Sequence, residues 1–306
     1  MSNKPQTVDF LALLALSLMW SSSFLFIKFA VETIPPLSVA AGRLLIGALI
    51  LYIFMKIKGI DLPRDGRSWL FFVGIGLIGN VIPFSLISWA ELTVDSSIAS
   101  ILIGSLPLFS FVLGHFVTSD EKLTPDRTLG VIVGFTGIII LIGPDAILSM
   151  GDSVLGQFAI ILGGAGYVVA SFMARSMPKM EPRARAAGVL ITASLISVPI
   201  ALVVEQPWTI DPTAISLGAL VVLGVFPTAI ATLLLFFVIM RVGATFVALN
   251  NYLNPALGVI WGYVFVNEIP SVQTYSGLIL ILAGMVFTQL KLSKHFISKK
   301  KTNTPT

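Results

Sequence analysis

Asn250, Asn251 and Asn254 stand in the run ALNNYLNPALGVIWG, Ala248 to Gly262, which is otherwise almost wholly apolar. On a helix turning about 100° per residue, the three fall within an arc of about 100°, and Gly258 and Trp261 continue that face. Carboxamides donate and accept hydrogen bonds without carrying charge. They therefore suit recognition of amino, carboxyl or hydroxyl groups where an ion would be costly. Pro255 frees the carbonyl near Asn251 and supplies a bend. The competing role for the asparagines is to bond neighbouring helices to one another.

Other residues share this pattern of polarity inside apolar segments. Trp20, Ser23, Phe24 and Ile27 lie on one helical face, and an aromatic lining suits a flat or cationic group. Tyr167 and Ser171 form a comparable pair. Asn80, Phe84 and Ile87 line one side of a further segment, interrupted by Pro83, and Glu91 continues that side as an interfacial charge. Core packing is the alternative for the aromatic residues. Lys28 and Arg43 lie in the outer parts of their segments. There they either snorkel to the interface or form a positive outer vestibule for a carboxylate or phosphate.

Much chemistry is excluded. The chain has no cysteine, and its two histidines, His115 and His295, are far apart in sequence. No disulfide, thiolate nucleophile or cysteine-bound metal is available. No aspartate or glutamate falls in the middle of an apolar segment, so a buried carboxylate carrying sodium or a proton is not visible. Facilitated diffusion, or proton coupling through a group at a cavity mouth, fits better. The residues call for no metal, no cofactor and no catalytic group.

The elements that must position these residues are transmembrane helices. Of 306 residues 56% are hydrophobic and 11% charged, against roughly a quarter charged in a soluble domain. Breaks at Pro, Gly and charge leave ten apolar stretches, at approximately 10–31, 37–56, 69–90, 96–118, 128–143, 154–175, 186–204, 213–240, 245–266 and 272–291. Each is long enough to cross a hydrocarbon core of about 30 Å. The eighth has Pro227 as a point of tilt or breakage. The first reads as a retained helix rather than a cleaved signal peptide. Every Lys and Arg except Lys28 and Arg43 falls at the N-terminus, the C-terminus or the loops after the second, fourth, sixth and eighth stretches. Positive-inside bias then places both termini in the cytoplasm of a multi-pass protein of the cell inner membrane. The basic tail, 292–306, is a solvated segment beside anionic lipid.

The two halves also echo each other. AAGRLLIGALI from Ala40 matches AAGVLITASLI from Ala186, and SILIGSLPLFSFVLG from Ser100 matches the asparagine run, setting Pro107 on Pro255. Glu121, Gly130 and Gly137 pair with Glu268, Gly277 and Gly284. A duplicated unit of five spans must enter the membrane from opposite sides, which is the inverted-repeat plan of secondary transporters. The expected fold is an all-α integral membrane protein of ten transmembrane helices in two inverted five-helix repeats, residues 1–145 and 146–291. Pro107 and Pro255, at matched places, are hinge candidates.

The chain resembles EamA-type members of the drug/metabolite transporter superfamily over nearly its full length. The resemblance rests on Trp20 with Ser21 to Phe24, Lys28, Pro35, Pro36, Arg43, Pro107, Glu121, Gly130, Pro255, Glu268 and Gly277; Ser21 stands where family members often have glycine. It implies a central cavity lined chiefly by the first, third, fourth, sixth, eighth and ninth spans. The expected function is secondary transport or export of small polar or amphipathic metabolites, amino acids or related compounds, by alternating access. A lipid-flipping or accessory membrane subunit is the alternative. The partners are a small-molecule substrate and the bilayer, with no nucleic acid, and a homodimer is compatible. A membrane-embedded enzyme would need an acid, base or metal cluster that the residues do not provide.

Overall fold

The computed structural model describes residues 5–117, 123–143 and 151–289, and every regular element among them is helical. Glu121 and the basic tail lie outside the described residues. The helices are α1 (Thr7–Val31), α2 (Pro36–Ile57), α3 (Gly66–Ala90), α4 (Ser96–Val117), α5 (Pro125–Ile142), α6 (Asp152–Arg175), α7 (Pro182–Glu205), α8 (Ala214–Val242), α9 (Asn250–Val266) and α10 (Val272–Gln289). Among the described residues, nine of these are long and apolar enough to cross a membrane. The ninth expected span is divided at Ala248 and Leu249 into a short turn, Ala244–Val247, and the 17-residue α9.

Local chemistry explains the ends. The Asp65 and Thr213 side chains accept from the backbone amides of Ser68 at 2.8 Å and Ser216 at 3.2 Å, closing the first turns of α3 and α8. Gly143 and Gly243 leave α5 and α8 with φ near +92° and +91°, a region that a side chain disfavours. Carboxylates cross-link elements distant in sequence. Glu205, ending α7, accepts from the amides of Leu37 and Ser38 at the start of α2. Glu268, between α9 and α10, accepts from Ser96 and Ser97 at the start of α4, at 2.8 and 2.9 Å. Both place negative charge at a helix N-terminus, where exposed amides and the helix dipole favour it.

α3 and α8 are not regular throughout. π-helical turns occur at Leu77–Val81 and Gly224–Ile230, beginning at positions related by the repeat offset of 147. Proline accounts for both disturbances, since Pro83 and Pro227 lack an amide to donate one turn back. The Leu223 carbonyl, one turn before Pro227, instead accepts from the Thr228 hydroxyl at 2.8 Å; the Ile75 carbonyl, just before the other π turn, accepts from Asn80 Nδ2 at 3.3 Å. π turns of this kind recur at functional sites.

Packing relies on small residues. α5 and α10 meet through Gly130, Gly134 and Gly137 facing Gly277 and Gly284. A Cβ on Gly284 would stand 2.6 Å from the Gly130 carbonyl oxygen. That neighbour is backbone and cannot rotate aside. Bilayer helices gain no hydrophobic drive from meeting one another, so such close approach supplies the attraction. At one end of the bundle Arg241 of α8 pairs with the buried Asp9 of α1 at 2.6 Å.

Gly284→Ala is therefore expected to destabilise the purified protein by about 2 kcal/mol or more, read as a lower melting temperature in detergent. Gly218→Ala, whose new Cβ would meet nothing within 4 Å, should leave it unchanged.

Candidate functional site

The sites of interruption face one another. A cavity of 360 Å³ lies near the middles of the helices. α1 contributes Trp20, Ser23, Phe24 and Ile27; α3 contributes Asn80, Phe84 and Ile87; α9 contributes Asn250, Asn251 and Asn254. Tyr167 of α6 adds an aromatic wall, its ring edge-on to Phe84 with centroids 6.3 Å apart. Ile103 and Leu106 of α4 form an apolar side. These two lie in the SILIGSLPLFSFVLG copy of the asparagine run, so one repeat lines the cavity with carboxamides where the other supplies hydrocarbon.

Asn250 is buried, and Oδ1 of both Asn250 and Asn254 has no hydrogen-bond partner. An unsatisfied buried acceptor costs about 1–3 kcal/mol, so these are acceptors with unused capacity on residues that line the cavity. Asn251 makes no described side-chain bond. Asn80 differs, because its amide nitrogen is occupied by the Ile75 carbonyl just before the π turn.

Arg43 does not occupy an outer vestibule. It is 4% exposed and lines the cavity, correcting the outward, snorkelling position expected for it. Two interactions hold it inward: its guanidinium carbon lies 3.8 Å from the centroid of Phe84, and Nε and Nη2 donate to Thr228 Oγ1 at 3.3 and 3.2 Å. Thr228 can accept because its own proton goes to the Leu223 carbonyl released at Pro227. Among the described residues no carboxylate pairs with Arg43. Its other donors are thus available to an anionic group.

Lys28, unlike Arg43, stays outside the cavity. Its Nζ donates to the backbone carbonyls of Glu91 and Val94 at 3.0 and 3.3 Å, tying the end of α1 to the turn between α3 and α4. Trp261 is turned away as well. Its indole donates to Ser21 Oγ at 2.8 Å, and its ring lies beside Phe265, in a separate apolar groove between α1, α8 and α9. The serine that replaces the usual glycine provides that acceptor. α1 covers α9 beyond Gly258, so the asparagine face does not continue into the cavity.

Pro107 follows the break between the two segments of α4, at Ser105, and lines a second space of 330 Å³. That space shares Leu106, Tyr167 and Asn251 with the central cavity and extends towards Ser110, Ser171 and Gln289, where α4, α6 and α10 end. Pro255 packs its ring against Gly104. α2 and α7 also reach the central cavity, through Arg43 and Leu190, beyond the six expected spans. Sequence reasoning missed Thr228 and Thr232; their only signal was hydroxyls one turn apart beside Pro227. Glu91, expected as an interfacial charge, is fully buried at the end of α3, where Lys28 bridges its carbonyl and that of Val94. Among the described residues, no group of three His, Asp or Glu side chains is placed to hold a metal.

Membrane-length helices enclosing a partly polar cavity at mid-depth define a membrane transporter. The chain belongs to the EamA-like transporter family, whose profile matches it twice, over residues 7–143 and 154–290. It is similar to the uncharacterized transporter YdfC of Bacillus subtilis, 26% identical over 92% of this chain and 93% of that one. It is also similar to the uncharacterized inner membrane transporter YedA of Escherichia coli, 24% identical over 96% and 94%. A further relative, 24% identical over 86% of each chain, is the S-adenosylmethionine uptake transporter of Rickettsia prowazekii. A crystal structure 21% identical in sequence shares the fold, with a TM-score of 0.67 covering 93% of this chain and 98% of that one.

A buried cation without a counter-ion is kept at a cost in stability. Arg43→Met is expected to melt no lower than the wild type, within about 1 kcal/mol, in detergent-solubilised protein. A loss of about 3–5 kcal/mol would show instead that the guanidinium holds the fold together.

Proposed function

We propose that this protein is a secondary transporter that moves small zwitterionic or amphipathic metabolites, amino acids or related compounds, across the membrane by alternating access. The observation that carries the reading is the pairing, in one cavity, of an Arg43 guanidinium lacking a carboxylate partner with Asn250 and Asn254 carbonyls lacking donors. A carboxylate fits the first and an ammonium group the second, with the side chain against Trp20, Phe24, Phe84 or the apolar α4 wall. The Rickettsia relative named for S-adenosylmethionine, an amino-acid derivative, supports the same class.

In this reading α9 is the ninth of ten spans. Its 17 residues reach roughly 26 Å, within the range for a tilted or locally thinned crossing. The chain divides into five-helix units at 1–145 and 146–291, oppositely oriented, with both termini cytoplasmic and the basic tail following. The twofold family match and the π turns at matched positions support that division. Pro107 and Pro255 serve as hinges at corresponding places, and substrate enters or leaves through the space beside Pro107.

The test is uptake and exchange in proteoliposomes with a panel of labelled amino acids and S-adenosylmethionine. Saturable exchange of at least one compound is expected. Asn250→Ala and Asn254→Ala should each raise half-saturation about tenfold, equivalent to about 1.4 kcal/mol, while folded yield holds. Trp261→Phe should leave half-saturation unchanged. Lipid scrambling with no exchange of any solute on the panel would overturn this reading.

A further inference from the structure

Glu91 follows α3 directly and stands one helical turn beyond Ile87, a cavity-lining residue. It is 0% exposed, and neither carboxylate oxygen has a hydrogen-bond partner. Ser88 Oγ, one turn earlier, is also buried and unpartnered. An ionised carboxylate so placed would carry an uncompensated penalty of several kcal/mol. The neutral acid removes most of it.

The surroundings show why the charge is unpaired. On α1, Lys28 directs Nζ to the carbonyls of Glu91 and Val94 rather than to the carboxylate. On α2, Arg43 is engaged by Phe84 and Thr228. On α6, the first-turn residue Asp152 presents its backbone carbonyl to Thr93, and any charge it carries is of the wrong sign. Asp95 and Glu268 add further negative charge around the start of α4, Glu268 being occupied by the Ser96 and Ser97 amides. Burial drives the Glu91 carboxyl well above the usual carboxylate range; Lys28 opposes the rise, Glu268 adds to it and Arg43 also opposes it.

We propose that Glu91 is a coupling-proton site, binding a proton while this end of the bundle is closed and releasing it when the Lys28 bridge parts and the end opens. This rests on the transport reading above. Opening frees Lys28 Nζ from two carbonyls and admits water, so both a counter-ion and solvation reach the carboxylate in the open form only. The same proton is bound on closure and lost on opening, and no other bond changes. The sign follows. The closed form has the raised affinity for the proton, so its advantage is complete at low pH and declines as pH rises above the ordinary carboxylate range towards the raised value.

Two readouts test this on the full-length protein. The first is the infrared spectrum between about pH 5 and 10, where a protonated-carboxyl band should fade as pH rises in the wild type and be absent in Glu91→Gln. The second uses the lack of cysteine in the chain. In Ile87→Cys, the rate of modification by a membrane-impermeant maleimide added on the Glu91 side should climb with pH. Relative to Ile87→Cys in the Glu91→Gln background at each pH, the increase should be about tenfold per unit of displaced pKa. Should Glu91→Gln fail to fold, Glu91→Asp keeps a titratable group and should move both midpoints together. An unaltered carboxyl band in Glu91→Gln, a midpoint in the ordinary carboxylate range, or a cysteine rate that ignores the titration would each overturn the proposal. Neither readout uses a transported solute, so these failures would leave the transporter reading standing. A blank solute panel with both readouts intact would count against that reading alone.

Discussion

A hydrocarbon core offers no water, so a backbone group released from a helix must be satisfied by the protein itself. That constraint organises the centre of this molecule. Pro227 leaves the Leu223 carbonyl without its helical donor; Thr228 supplies a proton to it, and the Thr228 oxygen can then accept from Arg43. In α3, the Ile75 carbonyl just before the other π turn takes the Asn80 side-chain amide. In both, a side chain that bonds a backbone carbonyl beside a π turn also lines the cavity. Polarity enters the membrane interior where the helices are broken, and the breaks are set by proline.

The two halves use the same breaks for different ends. α3 and α8 each carry a π turn at a matched position, and α4 and α9 each carry a proline at a matched position. The side chains around those features diverge: Asn250 and Asn254 correspond to Leu102 and Leu106, and Arg43 to Val189. Gly104 against the Pro255 ring and Gly258 against Ser100 bring α4 and α9 close, setting the hydrocarbon of one across from the carboxamides of the other. A backbone framework repeated twice thus encloses a cavity with unlike walls.

Much of this could be read in the chain because bilayer helices obey few rules. Span length, basic loops and a repeated Pro–Glu–Gly pattern identified the helices and the family, and periodicity on α1, α3 and α9 found half of the cavity lining. The misreadings share a cause. Arg43, Glu91 and Trp261 were placed by depth and helical face alone, yet their positions depend on partners far away in sequence: Thr228 and Phe84 for Arg43, the Lys28 bridge over Glu91, and Ser21 for Trp261. Thr228 itself gave little signal, since a threonine in an apolar helix ordinarily bonds its own preceding turn. Periodicity describes one helix; these contacts belong to pairs.

Two buried ionisable side chains then stand apart from the ordinary economy of a membrane interior. Arg43 lies in the cavity wall with no carboxylate, and Glu91 lies a turn past the cavity with no cation on its oxygens. Had stability been the only demand, these opposite charges would be expected to pair, since breaking such a pair in low dielectric is strongly unfavourable. Instead Phe84, which follows Pro83 in α3, holds the guanidinium by its ring face, while Lys28 covers the Glu91 backbone. Phe84 and Thr228 on one side and the Lys28 bridge on the other keep the two groups apart. In the transport cycle proposed above, separation leaves the cation free to meet an anionic group arriving in the cavity and leaves the acid to respond to whether water can reach it, functions that a direct salt bridge between them would extinguish.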